Sequence, residues 1–446
     1  MNPIKIVVSS RKNLEFKYGK KFSQINNLLQ RLKAADKQKG FDTRIVFIDD
    51  ASSAKASGIK AVKHLTPKAC KESVDALYKK HIPVYIVLLG AQDVFPFQEI
   101  NNPADDEDAH VPSDLPYACD APYSNDIANF TGPTRVVGRI PDVPGIQKDI
   151  SYLKRLIENV IRHMPADPDD YRGYFSISAN VWKKSTQISL QHMFGDIKQL
   201  KLSPKEGPKF RKTQLKPLTH FINCHGAINA TAFYGQRGES YPEALHAAIL
   251  HEQVRYGTVV AAECCYGAAL FDSSTLQLPH LSIANTYLGN AAVAFMGSST
   301  IAYGPADSNA LADLLTQYFI RNVLNGMSTG RALLEARQLF LTESGPQLDP
   351  YELKTLAQFY LLGDPSVLPA RMEETTSQKK TIGGTIENNR LNLFNKGMTL
   401  KNSIMPSEKK KTKQAPADEK KLREILKATR FDSSDKQLLY GVNRKI

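Results

Sequence analysis

Apolar residues recur along the chain in two alternating rhythms. Ile4–Val8, Arg44–Ile48 and Val84–Leu89 are short, nearly continuous apolar runs of strand length. Between them lie longer stretches with helical spacing: Phe22–Ala35, where Ile25, Leu28, Leu29 and Leu32 share a face, and Pro67–His81. Val84–Leu89 has no polar side to offer water, so it is expected to be buried on both faces. That pattern implies a mostly parallel sheet with helices packed over it.

The rhythm loosens after Gly90-Ala91-Gln92-Asp93. Asn101–His110, NNPADDEDAH, is acidic but lacks the glycine and ligand periodicity of a calcium loop, so a solvated loop is expected. Pro112–Asp126, with Asp114 and Tyr117, reads as another loop, Arg135–Arg139 as a short strand, and Ile146–His163 as a long helix with Leu153, Ile157 and Ile161 on one face. Pro165–Tyr171 is proline-rich and reads as a joint between two α/β units. Beyond it, Tyr174–Ala179 is a strand, Gln187–Leu200 a helix, and Lys201–Lys216 a basic loop or small hairpin interrupted by Pro204 and Pro208. Ala291–Met296 is a further buried strand, closing at Gly297-Ser298-Ser299-Thr300, and helices are expected over Ala310–Asn325, Thr329–Leu341 and Tyr351–Leu361. A turn cluster, Leu362-Gly363-Asp364-Pro365-Ser366, ends the folded part. The expected division is an N-terminal α/β subdomain over 1–164, a second over 170–370, and a tail over 371–446.

The candidate chemistry lies between His220 and Asp272. Two apolar runs, Phe221-Ile222 and Thr258–Ala262, are separated by a helix-length segment, which suggests neighbouring parallel strands joined by a helical crossover. The first runs into Cys224-His225-Gly226, the second into Glu263-Cys264-Cys265-Tyr266-Gly267. Ligands of open α/β sheets bind off the carboxyl ends of strands, so a His and a Cys at two such ends face one cleft. A thiol is mostly protonated at neutral pH and needs a base, for which His225 is the candidate. Glycine beside each allows close approach of a substrate carbonyl to a backbone N–H. On spacing alone the competing reading, in which these are ordinary buried residues, carries equal weight.

Composition narrows the class. A chain of 446 residues with 42% hydrophobic and 23% charged residues is a soluble globular protein of two or three domains by its proportions. No apolar run approaches the roughly 20 residues of a membrane span. The amino terminus, with only Ile4–Val8 after its Met, reads as a first strand rather than a secretion signal. The odd number of cysteines, Cys70, Cys119, Cys224, Cys264 and Cys265, argues against a disulfide framework and for a reducing, cytoplasmic setting. The pair Cys264-Cys265 could form a redox disulfide, but no CxxC or HxxxH spacing supports a metal, and no cofactor is expected. Residues 371–446 hold 18 Lys and Arg against 9 Asp and Glu, most of the formal net charge of +13. The high basicity therefore belongs to the tail, which reads as a flexible extension with a short helix at Asp418–Phe431 carrying Leu422, Ile425 and Leu426. Its Lys409-Lys410-Lys411-Thr412-Lys413 run is a candidate contact for nucleic acid or an anionic surface.

Several motifs together resemble the gingipain-type cysteine peptidases, within the caspase-like group of caspases, metacaspases, legumains and separase. Val137-Gly138-Arg139-Ile140-Pro141 is similar to the family's GR-containing strand end, and Cys224-His225-Gly226 stands where the family has its catalytic HG. Gly297-Ser298-Ser299-Thr300 with Tyr303-Gly304-Pro305 resembles the segment lining the specificity pocket, and Leu362–Ser366 the terminal GDPS. The resemblance covers residues 84–369 and implies a three-layer α/β/α fold with mostly parallel sheets built from two tandem α/β units.

It also implies a cysteine endopeptidase that cuts protein or peptide substrates through a thioester. His225 would protonate the leaving amine, and the Gly226 and Cys265 amides would hold the oxyanion. Alignment of Gly267 and Leu270-Phe271 on the gingipain pattern points to Cys264 as nucleophile, whereas the caspase spacing Cys-x-Gly and the acidic-small-Cys order point to Cys265, which is preferred. A negative charge at Glu263 would oppose thiolate formation beside it. Where gingipains place a glutamate assisting the histidine, this chain has Asn180, and no acidic residue stands in Val181–Gln191, where arginine-cutting relatives carry a specificity carboxylate. Glu263, Ser298, Ser299, Tyr303 and Asp307 are then the candidate pocket residues, with Asp114 a further carboxylate. The role expected is an intracellular processing or effector protease restrained by its tail or by a regulatory partner. The alternative is an inactive caspase-like scaffold whose basic tail binds nucleic acid or an acidic partner; a thiol redox role for Cys264-Cys265 is a third.

Overall fold

The computed structural model describes residues 2–147 and 149–371, so the expected basic run Lys409–Lys413 and the helix Asp418–Phe431 lie outside the described residues. In chain order the strands of the first half are β1 (Ile4–Ser9), β2 (Asp42–Phe47), β3 (Tyr85–Leu89), β4 (Gln98–Asn101), β5 (His110–Ser113) and β6 (Val137–Ile140). The second half supplies β7 (Tyr174–Ala179), β8 (Leu200–Ser203), β9 (Thr219–Asn223), β10 (Ala232–Tyr234), β11 (Glu243–His246), β12 (Val259–Ala262), β13 (Ala294–Ser298) and β14 (Phe359–Gly363).

Ten of these form one sheet, in the order β2-β1-β3-β6-β14-β13-β12-β9-β7-β8. Within β2-β1-β3-β6-β14 all pairings are parallel, as they are within β13-β12-β9-β7-β8. The two parallel sets meet antiparallel where β13 pairs with β14, from Ala294 opposite Gly363 to Ser298 opposite Phe359. The two parallel sets thus join edge to edge in one sheet, with β14, from the second half of the chain, lying beside β6 of the first. Central strands are buried along their whole length, as their continuous apolar runs require: β3, β9, β12, β13 and β14 have no exposed residue.

Where local signals are strong the elements fall where expected. Helix Pro67–His81 starts from Thr66, whose side chain caps Ala69 N–H, with Pro67 in the first turn. Helix Phe22–Gln38 buries Ile25, Leu28, Leu29 and Leu32. Four expectations need correction. Tyr351–Leu361 is not one helix: the helix Pro350–Gln358 stops, and Phe359–Gly363 becomes β14. The crossover from β9 to β12 is not helical but a β10–β11 hairpin followed by the single turn Ala247–Leu250. Gly235, Gly238 and Pro242 within it favour a turn over a helix. The long helix before the joint spans Ser151–Arg162 rather than beginning at Ile146, and that after β7 spans Lys183–Phe194, ended by Gly195 in the left-handed region. Helix Ile283–Gly289, between β12 and β13, was not expected from the sequence.

Two family-like motifs prove to be structural fasteners. Arg139 of β6 is fully buried and grips Asp114 twice, at 2.6 and 2.9 Å, while donating to the carbonyls of Gly90 and Phe95. Asp364, just past β14, takes the buried Lys5 ammonium of β1, which also reaches Asp36 at 3.0 Å. Charges this deep persist only when paired and hydrogen-bonded.

Candidate active site

Because β7, β9, β12 and β13 are parallel neighbours, their carboxyl ends open side by side at one edge of the sheet. The register places Ile222 opposite Ala262 and Ala262 opposite Gly297, so three loops start level with one another. They carry Cys224–Gly226, Glu263–Gly267 and Ser299–Tyr303. The amino end of β14, with the helix before it, meets them across the antiparallel seam at Ser298 and Phe359.

His225 is buried and its backbone exchanges both hydrogen bonds with Tyr234 of β10, N–H to carbonyl at 2.9 and 2.8 Å. Its ring lies between Trp182, at a centroid distance of 4.3 Å, and Tyr241, edge-on at 4.9 Å. Its Nε2 is 2.9 Å from the amide oxygen of Gln236, which follows β10. Gly226 packs against the next strand end: a Cβ there would come within 1.9 Å of the carbonyl oxygen of Cys265. Only glycine permits that approach.

Cys264 and Cys265 diverge as consecutive residues at a strand end should. The Cys264 thiol is in the core, its titration raised well above the ordinary value by burial and by neighbouring Cys224. The Cys265 sulfur instead meets the loop after β13, where Ala302 N–H donates to it at 3.3 Å. Burial pushes this thiol up to about 12, opposed by the Ala302 N–H and by the Lys354 ammonium, and reinforced by Asp108 and Asp106. Tyr266, directly after it, has φ of 53°, a left-handed conformation unfavourable for a tyrosine. Its N–H donates to the Thr300 carbonyl and its hydroxyl to Asp108, and these bonds hold it there.

The acidic loop is therefore only partly solvated: Asp105 and Glu107 are exposed, but Asp106 and Asp108 turn inward. Asp106 and Asp108 expose only 8% and 7% of their side chains and share the buried Lys354 ammonium of helix Pro350–Gln358. Asp106 also receives the Tyr303 hydroxyl, and Asp108 the Ile301 N–H at 2.9 Å and the Tyr266 hydroxyl at 2.7 Å. The β4–β5 hairpin delivers two carboxylates that tie together the loops after β12 and β13 on either side of Cys265. Their partners are remote in sequence, so nothing local distinguished the loop from a hydrated one.

The expected pocket residues turn to different partners. Glu263 is buried and accepts the Thr316 hydroxyl of helix Ala312–Leu324 at 2.7 Å. Asp307 is in solvent, 3.9 Å from Lys184, and Asp114 is held by Arg139. Ser298 donates to the backbone carbonyls of Cys264 and Thr300 and so shapes the loops rather than offering its hydroxyl outward. Ser299 is buried with its N–H on the Gln358 carbonyl, and Tyr303 is committed to Asp106. Asn180, in the place of the family glutamate, is exposed at the end of β7. Trp182, Gln236, Tyr241 and Lys354 were not singled out by sequence. Of these only Trp182 carried a signal, as the chain's one tryptophan just beyond a strand end.

The sequence pattern of peptidase family C25 matches residues 6–370. The chain belongs to this gingipain family of cysteine peptidases. A solved protease structure is similar to this C25 chain at 15% identity, over 82% of the chain and 78% of its own length, with a TM-score of 0.49. Saccharomyces cerevisiae separase in complex with securin is similar at 15% identity over 55% of this chain and 14% of its own, with a TM-score of 0.35. No curated protein matches the C25 chain in sequence. No helix among its described residues is long and apolar enough to cross a membrane.

Proposed function

We propose that the chain is a cysteine endopeptidase using Cys265 as nucleophile and His225 as its base and acid. The observation that carries this is the packing of Gly226 onto the Cys265 peptide, which joins the two strand-end motifs at one spot. The Cys265 sulfur attacks the scissile carbonyl carbon as its proton passes to His225. The N–H groups of Gly226 and Cys265 receive the negative charge that develops on the carbonyl oxygen. His225 then gives the proton to the departing amine, leaving a thioester. Water, deprotonated by His225, hydrolyses the thioester and restores the thiol.

A thiol held near pKa 12 supports concerted proton removal by a neutral imidazole over a standing thiolate–imidazolium pair. Five free, buried cysteines favour an intracellular setting and a processing role. The N-terminal unit over 1–164 acts in this reading as a support, and residues 371–446 as a regulatory or partner-binding segment.

The test is digestion of a mixed-sequence peptide library by the wild type and by Cys264→Ala, Cys265→Ala and His225→Ala. Loss of cleavage in His225→Ala and Cys265→Ala with retention in Cys264→Ala is expected. Cleavage that survives Cys265→Ala and His225→Ala would reject this assignment.

A further inference from the structure

The histidine of a Cys/His pair must present one chosen nitrogen, and in a neutral ring that choice is set by the partner of the other. Asn180 is exposed and stands where the family glutamate would be, so the ring is held from elsewhere in this chain. Gln236, half-buried at the tip of the β10–β11 hairpin, reaches a ring nitrogen with its side-chain amide.

The orientation of that amide can be worked out from its surroundings. The Gln236 nitrogen donates to the Gly238 carbonyl at 3.0 Å, and a carbonyl can only accept. The Gln236 oxygen is thus the end facing His225, 2.9 Å from Nε2, and an amide oxygen also only accepts. The hydrogen must reside on Nε2. In the neutral ring this leaves Nδ1 as the nitrogen with a lone pair.

We infer that Gln236 is the positioning residue of His225, fixing the Nε2–H tautomer so that Nδ1 is the proton-transferring atom. The inference rests on the peptidase reading above for what Nδ1 does, though not for the tautomer itself. Because Nε2 keeps its hydrogen when Nδ1 is protonated, the same bond holds the ring in both states of the cycle. The backbone exchange between His225 and Tyr234 fixes the distance from hairpin to histidine, since Gln236 lies two residues beyond Tyr234.

A neutral amide orients without adding charge, unlike a carboxylate. The charged and titratable groups on elements packed against the ring are Tyr234, Arg237, Glu239, Tyr241, Glu243 and His246 of the hairpin, Lys183 and Lys184 after Trp182, and Cys265 at the neighbouring strand end. None of them is replaced in the test.

The experiment uses the full chain labelled with 15N-histidine, the His225 signals being identified by their loss in His225→Gln. Long-range 15N–1H spectra read the tautomer directly, and peptide hydrolysis is followed against pH for wild type, Gln236→Leu and Gln236→Glu. The expected results are an Nε2–H tautomer in the wild type and a fall in kcat of about tenfold or more in Gln236→Leu, with KM little changed. Gln236→Glu should recover activity at high pH while its acid limb moves to higher pH by about one unit or more, because the carboxylate stabilises imidazolium. An Nδ1–H tautomer in the wild type overturns the inference whether or not the variants fold. So do variant pH profiles that superimpose on the wild type. Hydrolysis that persists in His225→Gln would instead defeat the assignment of His225 as base and acid, while the tautomer still decides whether Gln236 sets the ring.

Discussion

Cys264 and Cys265 are identical in chemistry and adjacent in sequence, and their difference arises from what each strand-end side chain meets. Cys264 lies in the core, where after burial Cys224 has the largest influence on it, with Cys265 and Glu263 adding smaller repulsions. Cys265 has a backbone N–H on its sulfur and an ammonium beyond it. Both are raised by burial, and each has a backbone hydrogen bond that favours the thiolate, from Cys224 for Cys264 and from Ala302 for Cys265, but only Cys265 also has a cation, Lys354, acting in that sense. Its alkylation by iodoacetamide should therefore climb steadily with pH through the alkaline range. Lys354→Met removes the favourable charge and leaves Asp106 and Asp108 in place, so the thiol titrates higher still. Alkylation at pH 8 should slow by up to about tenfold, the ratio carried by one pKa unit. Cys70 is also raised to about 12, but by burial and with Arg139 and Asp49 as its charged neighbours. Its rate, read by peptide mass spectrometry in the same sample, should not change. Equal rates for Cys265 in both proteins would show that Lys354 holds the loops without acting on the thiol.

At the scale of elements, β6 is fastened to the loop before it by Arg139 and Asp114. Arg139 lies over the Phe97 ring at 4.2 Å and has no exposed surface. Arg139→Met would leave the Asp114 carboxylate buried without its cation, at a cost of about 3–5 kcal/mol. Arg139→Met combined with Asp114→Leu removes both charges and should recover a large part of that loss. Urea denaturation of the two variants and the wild type measures it; a double variant no more stable than the single one would show that the guanidinium's bonds to Gly90 and Phe95 dominate. The same pair shows what sequence could and could not supply. Apolar runs such as Tyr85–Leu89 and a capped helix such as Pro67–His81 carry their structure locally, and they were read within a residue or two. The strand β14 was not, because Phe359–Leu361 continue the apolar spacing of the helix before them, and only pairing with β13 and β6 makes them extended. The acidic loop failed for a similar reason. Lys354, Tyr303 and Tyr266 reach Asp106 and Asp108 from other parts of the chain, and no local pattern announces them. The strand ends bearing His225 and Cys265 were legible, and Gln236 was not, since a hairpin stood where a helix was expected.

Across the whole molecule, the opposed parallel sets of strands meet at β13 and β14, so the site edge depends on β14 being held in place. The residue after β14 that does this is Asp364, buried with Lys5 of β1 and bonded by Ser366 N–H and hydroxyl. Burial alone would raise the Asp364 titration, yet the Lys5 ammonium and the Ser366 bonds outweigh it and the carboxyl is lowered. Asp36, the second carboxylate on Lys5, is raised, chiefly by burial. Lys5 itself is raised, the attraction of both carboxylates exceeding the cost of burial. The signs then separate by pH. A lowered carboxyl contributes stability above its unfolded value, about 3.9, and loses it as pH falls through the folded value. Asp36 acts in the opposite sense, and the contribution of Lys5 is present below its ordinary value and lost only as pH rises through its folded one. Asp364→Asn keeps the shape and removes the charge. At pH 7 the variant should be less stable by about 3 kcal/mol, because one buried cation is left with a single partner. As pH drops below about 3.9 the gap should begin to narrow, and it closes as pH falls through the lowered value of the folded carboxyl. Chemical denaturation midpoints between pH 3 and pH 7 follow this directly. A stability gap that stays constant over that range would mean that Asp364 works through its hydrogen bonds to Ser366, and that the seam is held by shape rather than by charge.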